Sequence, residues 1–211
     1  IAGHGAIDAV FVVVADGQQH VARILLGDEV QVVAGADSRR GSVRAGLEAI
    51  DAAGGADIVL IHDAARPFLP AAVVDRLLGA LADSEGAIPT LPVADTLVRE
   101  DGGTMADTVE RAQLHRVQTP QAFRFATILA AHRAWDEARE ATDDAQILRA
   151  SGHDVMLVQG DERLEKLTYR QDFTRAEALL APAYVTRVGM GYDVHRLAPG
   201  EPLWLGGVLV P

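Results

Sequence analysis

Cysteine is absent from the 211 residues, which rules out disulfides and thiolate chemistry and implies no redox compartment. Long apolar runs are missing too. None approaches the length of a membrane span, and charged residues interrupt them throughout. Positive charge is scarce, with 19 Lys and Arg against 30 Asp and Glu and a formal charge of -11. Such a surface repels nucleic acid and anionic lipid, so neither is expected as a partner. Any phosphate recognised here must be met by a few locally placed cations. The opening Ile1-Ala-Gly-His-Gly-Ala has neither a basic n-region nor an apolar h-region, and a cytoplasmic location is expected. Both ends read as abrupt, the second within an expected strand at Gly206–Pro211.

What the chain does have is apolar residue in quantity, 49% of the sequence, enough to bury one sizeable core. Strand-like runs alternate with helix-period segments. Ile7–Val14, Val30–Val33, Asp57–Ile61, Ala87–Leu91 and Val155–Val158 read as strands. Helices are expected over Ser42–Ile50, with Ser42 as N-cap, and over Pro70–Leu81 and Phe125–Arg139. Two more are expected over Asp143–Ala150, entered through Thr142 and closed by Gly152, and over Asp172–Leu180. Thr96–Arg99 and Thr108–Arg111 flank Asp101-Gly-Gly103, the pattern of a protruding hairpin arm. The alternation predicts an α/β domain with a mostly parallel sheet and helices on both faces. In such sheets ligands bind beyond the carboxyl ends of the strands, which directs attention to the loops after Val33 and Ile61.

The loop Gly35-Ala-Asp-Ser-Arg-Arg-Gly-Ser42 has small residues that let backbone N–H groups approach a ligand. Asp37 and Ser42 offer hydrogen bonds to a sugar, base or phosphate, although a plain strand–helix loop has the same composition. The loop His62-Asp-Ala-Ala-Arg-Pro67 says more. A carboxylate directly after a buried strand suits a hard cation such as Mg²⁺ that bridges phosphate oxygens, and Arg66 follows three residues later. Arg111, Thr119 in the polar turn Gln118–Gln121, Thr142 and Lys166 supply further cations and hydroxyls.

The segments Gly35–Leu47, His62–Pro67, Pro92–Leu97, Thr108–Phe123 and Thr142–Ala145 stand in the order of one family. Residues 1–181 resemble the 2-C-methyl-D-erythritol 4-phosphate cytidylyltransferases, Rossmann-like nucleotidyltransferases of the non-mevalonate isoprenoid pathway. The tail, Arg187–Leu197 with Gly200–Gly207, resembles the start of a 2,4-cyclodiphosphate synthase. A second, α+β domain is therefore expected to begin at 185 and continue past 211. These two activities are known to occur fused in this order.

The resemblance implies CTP and methylerythritol 4-phosphate as substrates and Mg²⁺ held by Asp63. Gly35, Ala36, Asp37, Ser42, Ala64 and Arg66 would contact CTP. Arg111 and Lys166 would position the attacking phosphate, and Thr96, Thr119 and Thr142 would help to bind the substrate. It implies a homodimer joined through the arm, with Thr96 and Arg111 serving the neighbouring site. In the tail, Asp193 and His195 lie two apart on an expected strand and would share a zinc-like divalent ion, in a domain that trimerises. Rival readings are a cytidylyltransferase for another polyol phosphate, such as ribitol phosphate, and a non-catalytic binding or oligomerisation module. The family opens with a glycine-rich loop carrying an arginine and then a lysine, and nothing before Ile7 matches it. The chain alone is expected to bind CTP poorly and to turn over little. Ala36 stands where the family has a second glycine, and Leu164 where it has an asparagine.

Overall fold

The computed structural model describes residues 3–136, 139, 141–180, 199–200, 202–205 and 207–210. Asp193 and His195 lie outside the described residues. Contacts divide the chain into two units, 1–172 and 173–211.

The first unit opens with two parallel strands, β1 (Phe11–Val14) and β2 (Gln31–Ala34), joined through α1 (Gln19–Leu26). The sequence pattern did not call for α1, which has a single buried residue, Ala22. After β2 the chain enters α2 (Arg39–Ala52), three residues before the expected start at Ser42 and running two past the expected end at Ile50. Ser38 is extended, and its side chain accepts from the Gly41 N–H, so Ser38 and not Ser42 is the N-cap. Likewise Asp143, not Thr142, caps α5 (Asp144–Ala150) by accepting from Gln146.

A five-stranded sheet forms the centre. It comprises β3 (Ile58–Ile61), β4 (Gly86–Pro92), β7 (His115–Val117), β8 (Gln121–Arg124) and β9 (Val155–Gln159). Strands β3, β4 and β9 point the same way, as the alternating pattern predicts. Two short strands modify that plan. Strand β8 runs antiparallel between β3 and β4, and β7 pairs antiparallel with the far end of β4. They are consecutive in sequence, separated by Gln118–Pro120 with a cis Thr119–Pro120 bond. Residues 118–121, expected as a polar turn, thus lie at the middle of the sheet.

Alternation along the strands builds two cores. Val59, Ile88 and Phe123 pack with Leu47 of α2, with Ile128 and Leu129 of α4 (Phe125–Ala134), and with Leu148 of α5. On the other face Ala87 and Ala122 meet Val73, Leu77 and Leu81 from α3 (Ala71–Ala80) and its C-cap. Val73 and Leu77 are fully buried. Burial of side chains this size contributes roughly 1.5–3 kcal/mol each. Gly86 is where the first core is tightest, since a Cβ there would lie 2.5 Å from Leu148 Cδ2 and 3.0 Å from Phe123 Cδ1.

The arm is present as an antiparallel ribbon, β5 (Leu97–Asp101) with β6 (Thr104–Val109), turning at Gly102 and Gly103 with φ of 57° and 82°. Two successive positive φ values are what a tight two-residue hairpin turn requires. All residues of its two strands but Val109 are exposed, Val98 and Met105 included. The helix α6 (Arg170–Leu180) runs across the boundary between units. The second unit contains an antiparallel hairpin, β10 (Leu203–Leu205) with β11 (Val208–Val210). No helix among the described residues is long and apolar enough to cross a membrane.

Candidate active site

Two loops leave the carboxyl ends of strands that point the same way. His62–Phe68 follows β3, and Gly160–Thr168 follows β9 and contains one short 3₁₀ turn (Glu162–Leu164). Backbone bonds stitch them together. The Leu167 N–H donates to the Ala65 carbonyl at 2.8 Å, and the Arg66 guanidinium donates to the Leu164 carbonyl. Leu164 itself is fully buried in the α3-side core. It anchors the loop by packing. Gly160 holds the other end, because its missing side chain leaves room for Gln118, whose amide bonds both the N–H and the carbonyl of Asp161.

This stitching sets Lys166 against Asp63, with Nζ donating to Oδ2 at 3.0 Å. Arg39, from the first turn of α2, approaches the other oxygen, Oδ1, to 3.6 Å. Burial alone would favour the neutral acid at Asp63. The Lys166 hydrogen bond and the charges of Lys166, Arg39 and Arg66 outweigh it and hold the carboxyl below the usual aspartate range. Asp63 is thus an ionised, half-buried carboxylate ringed by three cations, in a chain whose overall charge is strongly negative. The local cations that an acidic phosphate-binding protein requires are assembled here.

Beneath Asp63 runs a satisfied polar chain. The Asp63 N–H donates to Thr119 Oγ1 at 3.0 Å, and that hydroxyl lies 3.2 Å from His62 Nδ1. His62 Nε2 is 2.9 Å from the Arg66 carbonyl. One arrangement satisfies every member: Nε2–H donates to the carbonyl, and Nδ1 accepts from the hydroxyl. That arrangement needs a neutral imidazole, and burial lowers the His62 pKa in keeping with it. Thr119 is only 5% exposed, so its hydroxyl serves the loop and not the solvent.

The loop after β2 is folded on itself. Ser42 Oγ lies 3.0 Å from both the N–H and the carbonyl oxygen of Ala36. A Cβ at Gly35 would fall 2.7 Å from that Oγ and 3.1 Å from the Val14 carbonyl, so only glycine permits the closure. Asp37 and Ala64 are exposed beside these two loops. Ala36 is exposed too, and its Cβ occupies the space beside Gly41.

The other expected site residues sit apart from this cluster. Thr96 is exposed at the foot of the arm, and Arg111 is exposed in the segment after it. Neither forms a hydrogen bond or ion pair with Asp63 or Lys166 among the described residues. Thr142 bonds the Gln146 side chain at the entry to α5.

Sequence reasoning missed Arg39 as a site residue, together with the pair behind it. Arg39 Nη2 donates to Asp144 Oδ2 at 2.9 Å, and His132 Nε2 lies 3.2 Å from Asp144 Oδ1. Asp144 and His132 are both fully buried. The only local sign was the doublet Asp143-Asp144 at a helix start, where one carboxylate suffices as a cap. An open groove beside Gly55, Asp57 and Phe125 lies at the amino end of β3, away from Asp63, and Arg133 on its rim is paired with Glu48 and Asp51. It has none of the cations gathered around Asp63.

Known proteins point the same way. The family model for 2-C-methyl-D-erythritol 4-phosphate cytidylyltransferase matches residues 1–182. A bifunctional IspD/IspF enzyme of Rhizorhabdus wittichii is 55% identical over 212 residues, spanning all of this chain and 54% of the relative. One from Caulobacter vibrioides is 49% identical over 98% of the chain, again 54% of the relative. The chain thus spans about half the length of these relatives. Among solved structures, the Thermus thermophilus cytidylyltransferase superposes with a TM-score of 0.74 at 38% identity, covering 83% of each chain. The bifunctional enzyme of Campylobacter jejuni gives 0.67 at 25% identity, covering 80% of this chain and 42% of its own. The α/β fold is that of these nucleotidyltransferases, and the chain belongs to the 2-C-methyl-D-erythritol 4-phosphate cytidylyltransferase family.

Proposed function

We propose that the first unit transfers CMP from CTP to 2-C-methyl-D-erythritol 4-phosphate. A phosphate oxygen of the acceptor attacks the α-phosphorus, the bond from that phosphorus to the bridging oxygen breaks, and pyrophosphate leaves. Both reactants are anions, so the protein's task is to align them and offset their charge. The observation that carries the reading is the Asp63–Lys166–Arg39 cluster beyond the strand ends, in a chain of this family.

A divalent cation belongs to the same reading. The described residues contain no group of three or more His, Asp or Glu able to hold one. Asp63 alone fits Mg²⁺, an ion that keeps several waters and is completed by substrate phosphates. Asp63 would hold it, and when bound it would neutralise the triphosphate oxygens. Lys166 and Arg66 would face the phosphates, with Lys166 passing from Asp63 to the acceptor phosphate. The closed Gly35–Ser42 loop, with Ala36 and Asp37, and Ala64 opposite, would receive the cytidine. Arg111, Thr96 and Thr142 would bind acceptor, the first two from a second subunit brought by the arm. In the full-length protein, 185–211 would open a cyclodiphosphate synthase domain, with Asp193 and His195 on a zinc-like ion and a trimeric interface.

The test is pyrophosphate release by the full-length gene product with CTP, Mg²⁺ and methylerythritol 4-phosphate, with ribitol phosphate in parallel. Asp63→Ala and Lys166→Ala are each expected to lower kcat about 10²-fold or more. Release with ribitol phosphate in place of the methylerythritol substrate would overturn the substrate assignment. Release that survives both substitutions would overturn the site.

A further inference from the structure

Two ionisable side chains with no solvent exposure lie directly behind the site. Asp144 and His132 are each at 0%, on different helices, and three of their polar atoms lack a hydrogen-bond partner among the described residues. His132 Nε2 and Asp144 Oδ1 are 3.2 Å apart, but not aligned for a hydrogen bond. Stability is a poor reason for such a pair, since replacing buried ions with apolar groups of similar volume is often neutral or stabilising. Its geometry supplies a better one. Arg39 is shared between two carboxylates, and Asp144 has the closer hold, 2.9 Å against 3.6 Å to Asp63. The second distance is beyond a hydrogen bond. Arg39 sits on α2, whose first turn brings it within reach of both.

Resting on the functional reading above, we propose that Asp144 and His132 are positioning residues that hold Arg39 back from Asp63, keeping one oxygen of that carboxylate open to the cation that accompanies CTP. Asp144 attracts the guanidinium through Oδ2, while His132 packs beside Oδ1 and limits the rotation of the carboxylate. Without Asp144, Arg39 would close the remaining distance and form a charge-assisted pair with Asp63. The cation would then have to displace it. Until the acceptor phosphate draws Lys166 away, Lys166 holds Oδ2, so Oδ1 is the oxygen at stake when CTP and its cation arrive.

The experiment uses the full-length protein with Mn²⁺ as probe, its free signal followed by electron paramagnetic resonance in the presence of CTP, alongside the Mg²⁺ dependence of pyrophosphate release. Asp144→Asn is expected to weaken Mn²⁺ binding about tenfold, the scale of one charge-assisted hydrogen bond, and to raise the Mg²⁺ half-saturation equally. In an Arg39→Gln background, Asp144→Asn should change neither further, an outcome that loss of packing would not give. His132→Ala, which leaves the carboxylate room to turn, should weaken binding about threefold and His132→Gln, which fills most of that space, less than twofold. Arg39→Gln alone, at a half-exposed position, gives the answer if the Asp144 variant does not fold: without CTP, where no phosphate contact is at stake, its Mn²⁺ binding should tighten or hold. Mn²⁺ binding unchanged in Asp144→Asn, or weakened without CTP in Arg39→Gln, would overturn the proposal while wild-type turnover leaves the function standing. No Mn²⁺–CTP binding by the wild type would overturn both.

Discussion

Replacing Thr119 with valine separates two roles for this residue. Valine keeps the shape and removes the hydroxyl that accepts from the Asp63 N–H and bonds His62 Nδ1. Each group left unmet costs about 1–3 kcal/mol when buried. His62 and Asp63 are only partly buried, so the lower end applies to each and the sum is about 2 kcal/mol. With a urea slope of about 2 kcal/mol per molar, the unfolding midpoint should fall by about 1 M. Thr119→Ser keeps the hydroxyl and loses only a buried methyl, so it should cost about 1 kcal/mol, about half the valine effect. The assay is urea unfolding followed by circular dichroism, beside the KM for acceptor in the full-length protein. A valine variant of unaltered midpoint whose acceptor KM alone rises would refute the reasoning. Thr119 would then be a substrate ligand, as the family resemblance implied, and not the support of the Asp63 loop.

Acid titration tests His62. Its pKa is depressed in the fold, so below its ordinary value of 6.5 the unfolded chain holds more protons and stability rises with pH across that window. His62→Gln should flatten the slope of melting temperature between about pH 5 and 6.5. Lys166→Met should let the Asp63 carboxyl titrate at higher pH, seen by carboxyl carbon NMR. Because Lys166 is half-exposed, its direct cost in stability should stay below about 1 kcal/mol. Gly86→Ala forces a methyl against Leu148 and Phe123 and should cost about 1–3 kcal/mol, with the melting temperature falling by several degrees.

The strands β3, β4 and β9 and the arm were legible because each carries a local signal. Apolar β-branched runs mark the first three, and a Gly-Gly turn between matched flanks marks the last. Helix α1 went unread because Gln18-Gln19-His20 gives it no cap signal and little of it is buried. Strand β8 has only four residues and follows a proline, and its identity as a strand depends on β3 and β4 lying on either side. The N-caps were misplaced by one or four positions because neighbouring side chains qualified equally. Asp63 and Lys166 stood out by position after strands, while their 3.0 Å contact spans 103 residues. Arg39, Asp144 and His132 could not be found this way. Their link joins residues 105 apart, and nothing local in His132 distinguishes a buried partner from a surface imidazole.

At the start of α5, adjacent aspartates do unlike jobs. Asp143 is outside the helix and closes its first turn, while Asp144, one residue in, turns toward Arg39. Asp144 is the first residue of the helix, and steps of about 100° around the axis relate it to the buried Ala145, Ile147 and Leu148, so their packing sets the direction of its carboxylate. An insertion before Asp144 costs at most the cap and leaves that direction intact, whereas one between Asp144 and Ile147 swings the carboxylate off Arg39. Length changes should therefore be tolerated upstream of Asp144 and not just after it. The helix works as a protractor, turning the place where it begins into the bearing of a charge more than a hundred residues away in sequence from the arginine it steadies.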